Sequence, residues 1–534
     1  MSLLTSATDV TIEHDLKQFL IILLVALSAA SLPKIFTPLR QLPYTLLLLI
    51  VGLGLALVDV RLMNLSPGLI LMVFLPPLLF EAAWNTRWSA LKRELLPSGL
   101  YAVGGVVISI AGIALALHQI MDVPWTTALL VGACLSATDS ASVLGIFREV
   151  GAGERLTTLL EGESLLNDGA AVVAYGVLVE LATAPKPFQL SSTVLQFFVV
   201  TGIGVSIGAL IGVCVAVLTQ RYELSWVEQA LTVVTAYGTY IFVEELGGSG
   251  VIGIVTVGLV IGNFSLQPGV ELVKRSTVTE FWEFIVFLIN SILFLLLGDQ
   301  IHVSKLIAHL PTTTIAILAV IASRAIAVYG LSALSNWIGK TGISWRDQTI
   351  LWWTGLRGAV SIALAIGLPA AIAGRQEIIS ASFGVVWFTL LVQGLTTKFW
   401  LEKLDLLEDQ SLKQQYLELV ARRDALQQVT KYLMQTGSQL LISPESHQAQ
   451  LESVQEQLQQ IQIEIEAMQA QSEIQAFSVE QYQAQLQAIE SQTYAKFVQA
   501  GLLKRSPTSM LKTTIDFRPV ELPHVQINSR EPAR

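Results

Sequence analysis

Apolar runs long enough to cross a bilayer recur from about residue 17 to about residue 400, separated by short polar or turn-forming stretches. Thirteen can be drawn, near 17–35, 43–58, 67–85, 95–119, 124–147, 155–182, 191–219, 225–246, 249–266, 277–300, 306–335, 345–372 and 376–400. The second and ninth are short, and only Gly247 and Gly248 separate the eighth from the ninth. The pattern changes after residue 400. Residues 405–495 are rich in Gln, Glu and Leu, with a break at 436–446. Leu451, Val454, Leu458, Ile461, Ile465 and Met468 step by three and four, the spacing of a short coiled-coil seam. The seam is under three heptads, so a helical hairpin packed on itself or on a second subunit is expected, with a sensor or partner-binding role as the sharper alternative. The predicted fold is an all-α polytopic membrane protein. Its parts are an extracytoplasmic segment (1–16), a transmembrane domain (17–400), a helical cytoplasmic tail (401–504) and a disordered end (505–534).

Composition agrees: 53% of residues are hydrophobic and 14% charged, against about 25% charged in an average soluble domain. The net charge of −9 lacks the basic field a nucleic acid would need. The tail holds only Gly437 and Gly501, so no nucleotide-binding domain with a phosphate loop is expected there. The acidic start (Asp9, Glu13, Asp15) does not read as a cleaved leader. Cys134 and Cys214 read as buried small hydrophobes. The histidines form no metal-ligand pattern, and no cofactor or enzymatic chemistry is indicated. Lys and Arg concentrate in alternate loops, for example Arg87, Lys92 and Arg93, then Arg148 and Arg155, then Lys274 and Arg275. That asymmetry puts the N-terminus outside and the C-terminus in the cytoplasm, with an odd number of spans between them.

Four segments carry polar residues where lipid demands apolar ones. Residues 161–173 read EGESLLNDGAAVV and put Asp168 near mid-membrane in the sixth span. At about 100° per residue, Ser164, Asn167 and Asp168 share a helix face with Glu163 on its flank. Hydroxyl, amide and carboxylate oxygens suit a hard cation or a proton. The same cluster could instead be glue between helices. In the fifth span, CLSATDSASVLG (134–145) is dense enough in hydroxyls to unwind the helix around Thr138 and Asp139. FLPPLLFEAAW (74–84) joins a bend at Pro76–Pro77 to Glu81, which either faces the site or snorkels to the interface beside Arg87. In the twelfth span Gly355 and Gly358 bracket Arg357. A buried Arg requires a carboxylate or carbonyls, and Glu163 is the natural candidate. Arg324, in the eleventh span, requires a carboxylate or a helix end of its own. Glu161 lines an approach to Asp168 or sits among headgroups.

Interrupted helices in spans 5 and 12 occupy matching positions if spans 1–6 and 8–13 are two inverted halves. Such a pair points to a transporter site at the repeat interface.

FLPPLLFEAAW, ATDSASVLGIF, EGESLLNDGAAVVAYGVL and GLRGAVSIALA, in this order, resemble the sodium/proton exchanger branch of the monovalent cation–proton antiporters, of bacterial or cyanobacterial type, across residues 15–400. The resemblance implies thirteen spans in inverted repeats, a homodimer, and exchange of Na+ for H+. Li+, K+ and Ca2+ remain open as alternative cations. It further implies that Asp168 carries the ion or proton and that Ser164, Asp139, Thr138 and Glu81 line the site. Glu163 would pair with Arg357. Asn167 stands where electrogenic relatives carry an aspartate, which implies electroneutral exchange. The chain departs from the family at Ser140, where proline is usual.

Overall fold

The computed structural model describes residues 2–36, 44–58, 66–139, 141–183, 190–221, 226–263, 271–300, 309–372, 374–407, 410–436, 444–470, 474–475 and 477–478. Among these residues no strand forms, and the β contact is a single antiparallel bridge between Ala152 and Leu407. Ser140 and the expected disordered end, 505–534, lie outside the described residues. The chain is a multi-pass, helical membrane protein.

Helices α1 (Ser2–Ile35) and α2 (Tyr44–Leu57) open the chain. A π-helical turn, Leu69–Phe74, leads into α3 (Leu75–Asn85). Pro76 and Pro77 sit in the first turn of α3, where a missing N–H leaves few hydrogen bonds unmade. The irregularity expected at these prolines thus appears as the π-turn just ahead of them. Then follow α4 (Trp88–Arg93), α5 (Leu95–Gly99), α6 (Gly105–Met121), α7 (Trp125–Cys134), α8 (Ala141–Val150) and α9 (Glu154–Thr183). The chain continues through α10 (Leu190–Arg221), α11 (Trp226–Glu245), α12 (Gly250–Asn263) and α13 (Glu271–Asp299). After these come α14 (Leu310–Gly339), α15 (Trp345–Trp353), α16 (Ala359–Ile366), α17 (Arg375–Phe388) and α18 (Leu395–Lys403).

The helices pack in two groups. One contains α2, α3 and α10–α13; the other contains α6, α7, α9, α14, α16 and α17. Lipid supplies no hydrophobic drive between helices, so close backbone approach holds them together. Gly204, Gly208 and Gly212, read from the sequence as a packing stripe, meet α12: a Cβ at Gly204 would lie 2.9 Å from the Ser249 carbonyl oxygen, and one at Gly212 2.8 Å from Val260 Cβ. Large apolar side chains such as Leu210, Val234 and Ile326 face outward. In water such a surface would aggregate; in a bilayer it faces its own solvent. Cys134 is buried as expected, whereas Cys214 is exposed on this outer surface, because α10 packs through its glycine face.

In the tail, α19 (Gln410–Thr436) and α20 (Pro444–Gln469) pack against each other as a hairpin. Ile461 and Ile465 of the expected seam bury against Tyr416, with Leu419 and Met468 at the edge of the cluster.

Candidate functional site

Two helices break and cross. The main chain leaves helix between Cys134 and Ala141, and again between Trp353 and Ala359. Each break supplies partners to the other. The Asp139 N–H donates to the Leu356 carbonyl at 2.8 Å, and Ser361 Oγ donates to the Ala137 carbonyl at 3.4 Å. The Arg357 N–H donates to Thr389 Oγ1 at 3.1 Å, within a second π-helical segment, Thr389–Gly394. Non-helical backbone persists at membrane depth only where protein satisfies it, as here. The crossing is tight at Gly358, where a Cβ would run into the Asp139 side chain. The break in the fifth span forms although its usual proline is absent.

Helix α9 lies across this crossing. Ser164 donates from Oγ to the Thr138 carbonyl at 3.0 Å, an oxygen that the break has withdrawn from the helical ladder. Asp168, one turn further along α9, joins Ser164 in lining a cavity of about 310 Å³. One wall of that cavity comes from the second helix group: Thr138, Asp139, Glu161, Ser164, Asp168 and Gly358. The opposite wall comes from the first, with Glu81 and Asn85 of α3, Tyr44 of α2 and Asn290 of α13. Glu81 lines this cavity and accepts a hydrogen bond from Asn85 Nδ2 at 2.6 Å. A second cavity, of about 280 Å³, shares Asn85, Thr86 and Glu161 with the first. It opens beside the Arg87–Glu154 ion pair at the N-terminal end of α9. Glu161 therefore lines both cavities, the one at the exposed ion pair and the one that holds Asp168.

The buried charges pair differently from expectation. Glu163 binds Arg324, not Arg357. Both carboxylate oxygens accept from the guanidinium, the longer bond being Nη2 to Oε2 at 2.9 Å, and both side chains are at most 5% exposed. Arg324 also donates to the Leu351 carbonyl at 3.0 Å, near the C-terminal end of α15, so it takes a carboxylate and a helix end together. The flank of α9 that carries Glu163 faces α14 across the bundle, and sequence periodicity could not choose between two arginines. Arg357 is fully buried, and its guanidinium nitrogens make no hydrogen bond among the described residues. It directly precedes Gly358, the residue at which the two breaks come closest.

Asn167 also departs from expectation. It is buried and does not line the cavity, and its Oδ1 is unpartnered among the described residues. The cavity-lining face of α9 runs Glu161, Ser164, Leu165, Asp168, which are steps of three, one and three along a single stripe. Asn167 trails that stripe by about 60° from Ser164 and turns into the core. Sequence reasoning missed Tyr44 and Asn290. A lone Asn in the apolar stretch FLINSILFLLLG was the available signal.

Comparison with known proteins agrees with this architecture. The transmembrane sodium/hydrogen exchanger family matches residues 20–403. The Na+/H+ antiporter ApNhaP of Aphanothece halophytica is 49% identical, covering 96% of this chain and 99% of its own length. The low-affinity Na+/H+ antiporter NhaS1 of Synechocystis is 48% identical over 95% of this chain and 97% of its own. The fold is shared with the sodium proton antiporter MjNhaP1 of Methanocaldococcus jannaschii, at TM-score 0.60 and 18% identity, covering 73% of this chain and 98% of that one. The chain belongs to the sodium/hydrogen exchanger family.

Proposed function

We propose that this protein exchanges Na+ for H+ across the membrane, one for one, by alternating access, with Asp168 binding either ion. The observation that carries this reading is the position of Asp168: in the wall of a cavity between two helix groups, one turn from a hydroxyl and a withdrawn main-chain carbonyl. The cation is held by Asp168, Ser164 Oγ, Asp139 and the Thr138 carbonyl, with Glu81 opposite. These are hard oxygen donors suited to an alkali ion. The activity named for the two cyanobacterial relatives supports sodium as that ion.

Charge balance explains the coupling. Glu163 cancels Arg324, so the carboxylates that line the cavity are left to the transported ion. Na+ and a proton carry the same single positive charge, so whichever Asp168 binds changes the charge of the site equally, as one-for-one exchange requires. An uncompensated carboxylate is costly at membrane depth, so the empty site resists moving between faces while either loaded form passes. Asn167 contributes by being uncharged, which supports electroneutral exchange.

Thirteen spans in two inverted halves, each half with one broken helix, fit the helix order. Loop charge supports an N-terminus outside and a C-terminal hairpin in the cytoplasm, in a plasma membrane. The family resemblance supports a homodimer. The test is proton flux in liposomes holding the full chain, driven in turn by Na+, Li+, K+ and Ca2+. Sodium-driven flux that vanishes in Asp168→Asn, with folded yield kept, is the expected result. Sodium-dependent flux in that variant overturns the assignment, and a stronger response to K+ or Ca2+ would reassign the cation.

A further inference from the structure

The wall facing Asp168 is mostly apolar: Leu75, Leu78, Leu79, Val286, Leu293 and Phe294 line it. Set among them are the polar side chains of Asn290 and Tyr44. Asn290 is only 6% exposed. An amide buried in such a wall carries a desolvation cost unless its polar atoms are used. It has two donors and two acceptor lone pairs to offer to what the cavity holds. Tyr44 and Asn290 line the same cavity as Asp139 and Glu81, so the two polar side chains share it with the carboxylates of the site.

The pair is also rigidly mounted. Helices α2 and α13 touch through their backbones: a Cβ at Gly52 would lie 2.9 Å from Gly298 Cα, and one at Gly298 2.8 Å from Gly52 Cα. Eight residues earlier on each helix stand Tyr44 and Asn290, and the Tyr44 ring packs on Phe287 with centroids 5.5 Å apart. Contact at both places fixes the two helices side by side and parallel. Their polar pair cannot retreat from the cavity without separating the helices.

We infer that the Asn290–Tyr44 pair supplies oxygen ligands, directly or through one held water, to a partly dehydrated alkali cation at Asp168, and thereby sets discrimination among monovalent cations. This role rests on the exchange reading above. Asp168 satisfies a proton with one bond, whereas a cation needs a shell of oxygens at a distance set by its radius. A rigid opposing wall fixes that distance, so the pair acts on the cation half of the exchange.

The experiment compares Asn290→Ala, Asn290→Ser and Tyr44→Phe in full-length protein reconstituted in liposomes, measuring KM and maximal rate for Na+ and for Li+. A lost hydrogen-bonding partner of ordinary strength corresponds to about a three- to tenfold rise in KM. That rise is expected for Na+ in Asn290→Ala, with a changed Na+/Li+ ratio of KM values. Tyr44→Phe should move both in the same direction by less, and Asn290→Ser should recover part of the loss. A fall in maximal rate alone, with both KM values and their ratio at wild type in whichever variants fold, would show a packing role and overturn the inference. Asp168→Asn is run alongside. If it still exchanges, the exchange reading fails; if it is inactive while the Asn290 variants bind like wild type, only this inference fails.

Discussion

Glu163 on α9 and Arg324 on α14 form a two-pronged ion pair in the protein interior, and Arg357, at the broken helix, is not part of it. The pair ties the helix that carries Asp168 to its neighbour, and the Leu351 carbonyl extends the tie to the start of the second break. Removing one partner leaves a buried charge uncompensated, at a cost of about 3–5 kcal/mol. Glu163→Gln and Arg324→Gln should each lower folded yield and melting temperature in detergent by size-exclusion assay. Replacing both with apolar residues of similar volume should recover much of the loss, because no lone charge remains. Single variants as stable as wild type would show that the tie does not support the fold.

Ser164 offers a separable test. Its hydroxyl holds the Thr138 carbonyl at 3.0 Å and lines the cavity beside Asp168. Ser164→Ala removes one hydrogen bond and one candidate cation ligand, so KM for Na+ should rise by about tenfold, equivalent to about 1.4 kcal/mol. Thermal stability should change little, since the lost group is small and the cavity admits water. Sodium-driven fluorescence dequenching in liposomes measures the first, and detergent melting the second. An unchanged KM would remove Ser164 from the ligand set.

Much of this site was legible in the sequence, and the limits have physical causes. The hydroxyl-rich run around Asp139 and the glycines around Arg357 announced two breaks, because irregular backbone in lipid needs local polar or small residues. Glu81 and Asp168 stood out by their expense at membrane depth, and Ser164 by sharing a helix face with Asp168. Pairing was not legible. Glu163 could serve Arg324 or Arg357, and the choice depends on which helix faces which, a tertiary fact that helical periodicity does not contain. Asn167 failed for a subtler reason: an angular window wide enough to hold Ser164 and Asp168 also held a residue about 60° off the stripe. Tyr44 and Asn290 went unseen because each stands alone in an apolar run, and their meaning appears only when α2 and α13 bring them together.

The approach to the site predicts an asymmetry between two glutamates. Glu161 lines both cavities, whereas Glu154 is tied to Arg87 at the exposed mouth. Glu161→Gln removes a negative charge along the route and should raise the apparent KM for Na+ by about two- to fivefold at low ionic strength, less at high salt, where exposed charges are screened. Glu154→Gln should have a smaller effect, since exposed pairs contribute about 0–1 kcal/mol. Initial rates at two ionic strengths decide the matter, and equal effects of the two variants would argue against a shared route through Glu161.

Gly358 gives the strictest test of the crossing. A Cβ there would strike the Asp139 side chain, and its neighbours leave no flexible tip to move aside, because the Asp139 N–H is anchored to the Leu356 carbonyl and Arg357 to Thr389. Gly358→Ala must therefore push the two broken segments apart or rotate Asp139 out of the cavity. Either displacement moves a cation ligand by a distance comparable to a bond, and misplacements of about 1 Å cost on the order of a hundredfold in rate. Exchange should fall by at least about tenfold, with maximal rate and KM for Na+ both affected. The backbone at Gly358 has a negative φ of −135°, outside the left-handed region, so the methyl group acts through crowding. Folded protein should therefore be recovered, and flux in liposomes can be read directly. Wild-type exchange in Gly358→Ala would mean that the two breaks are not held in contact as described and that Asp139 does not depend on the crossing for its position.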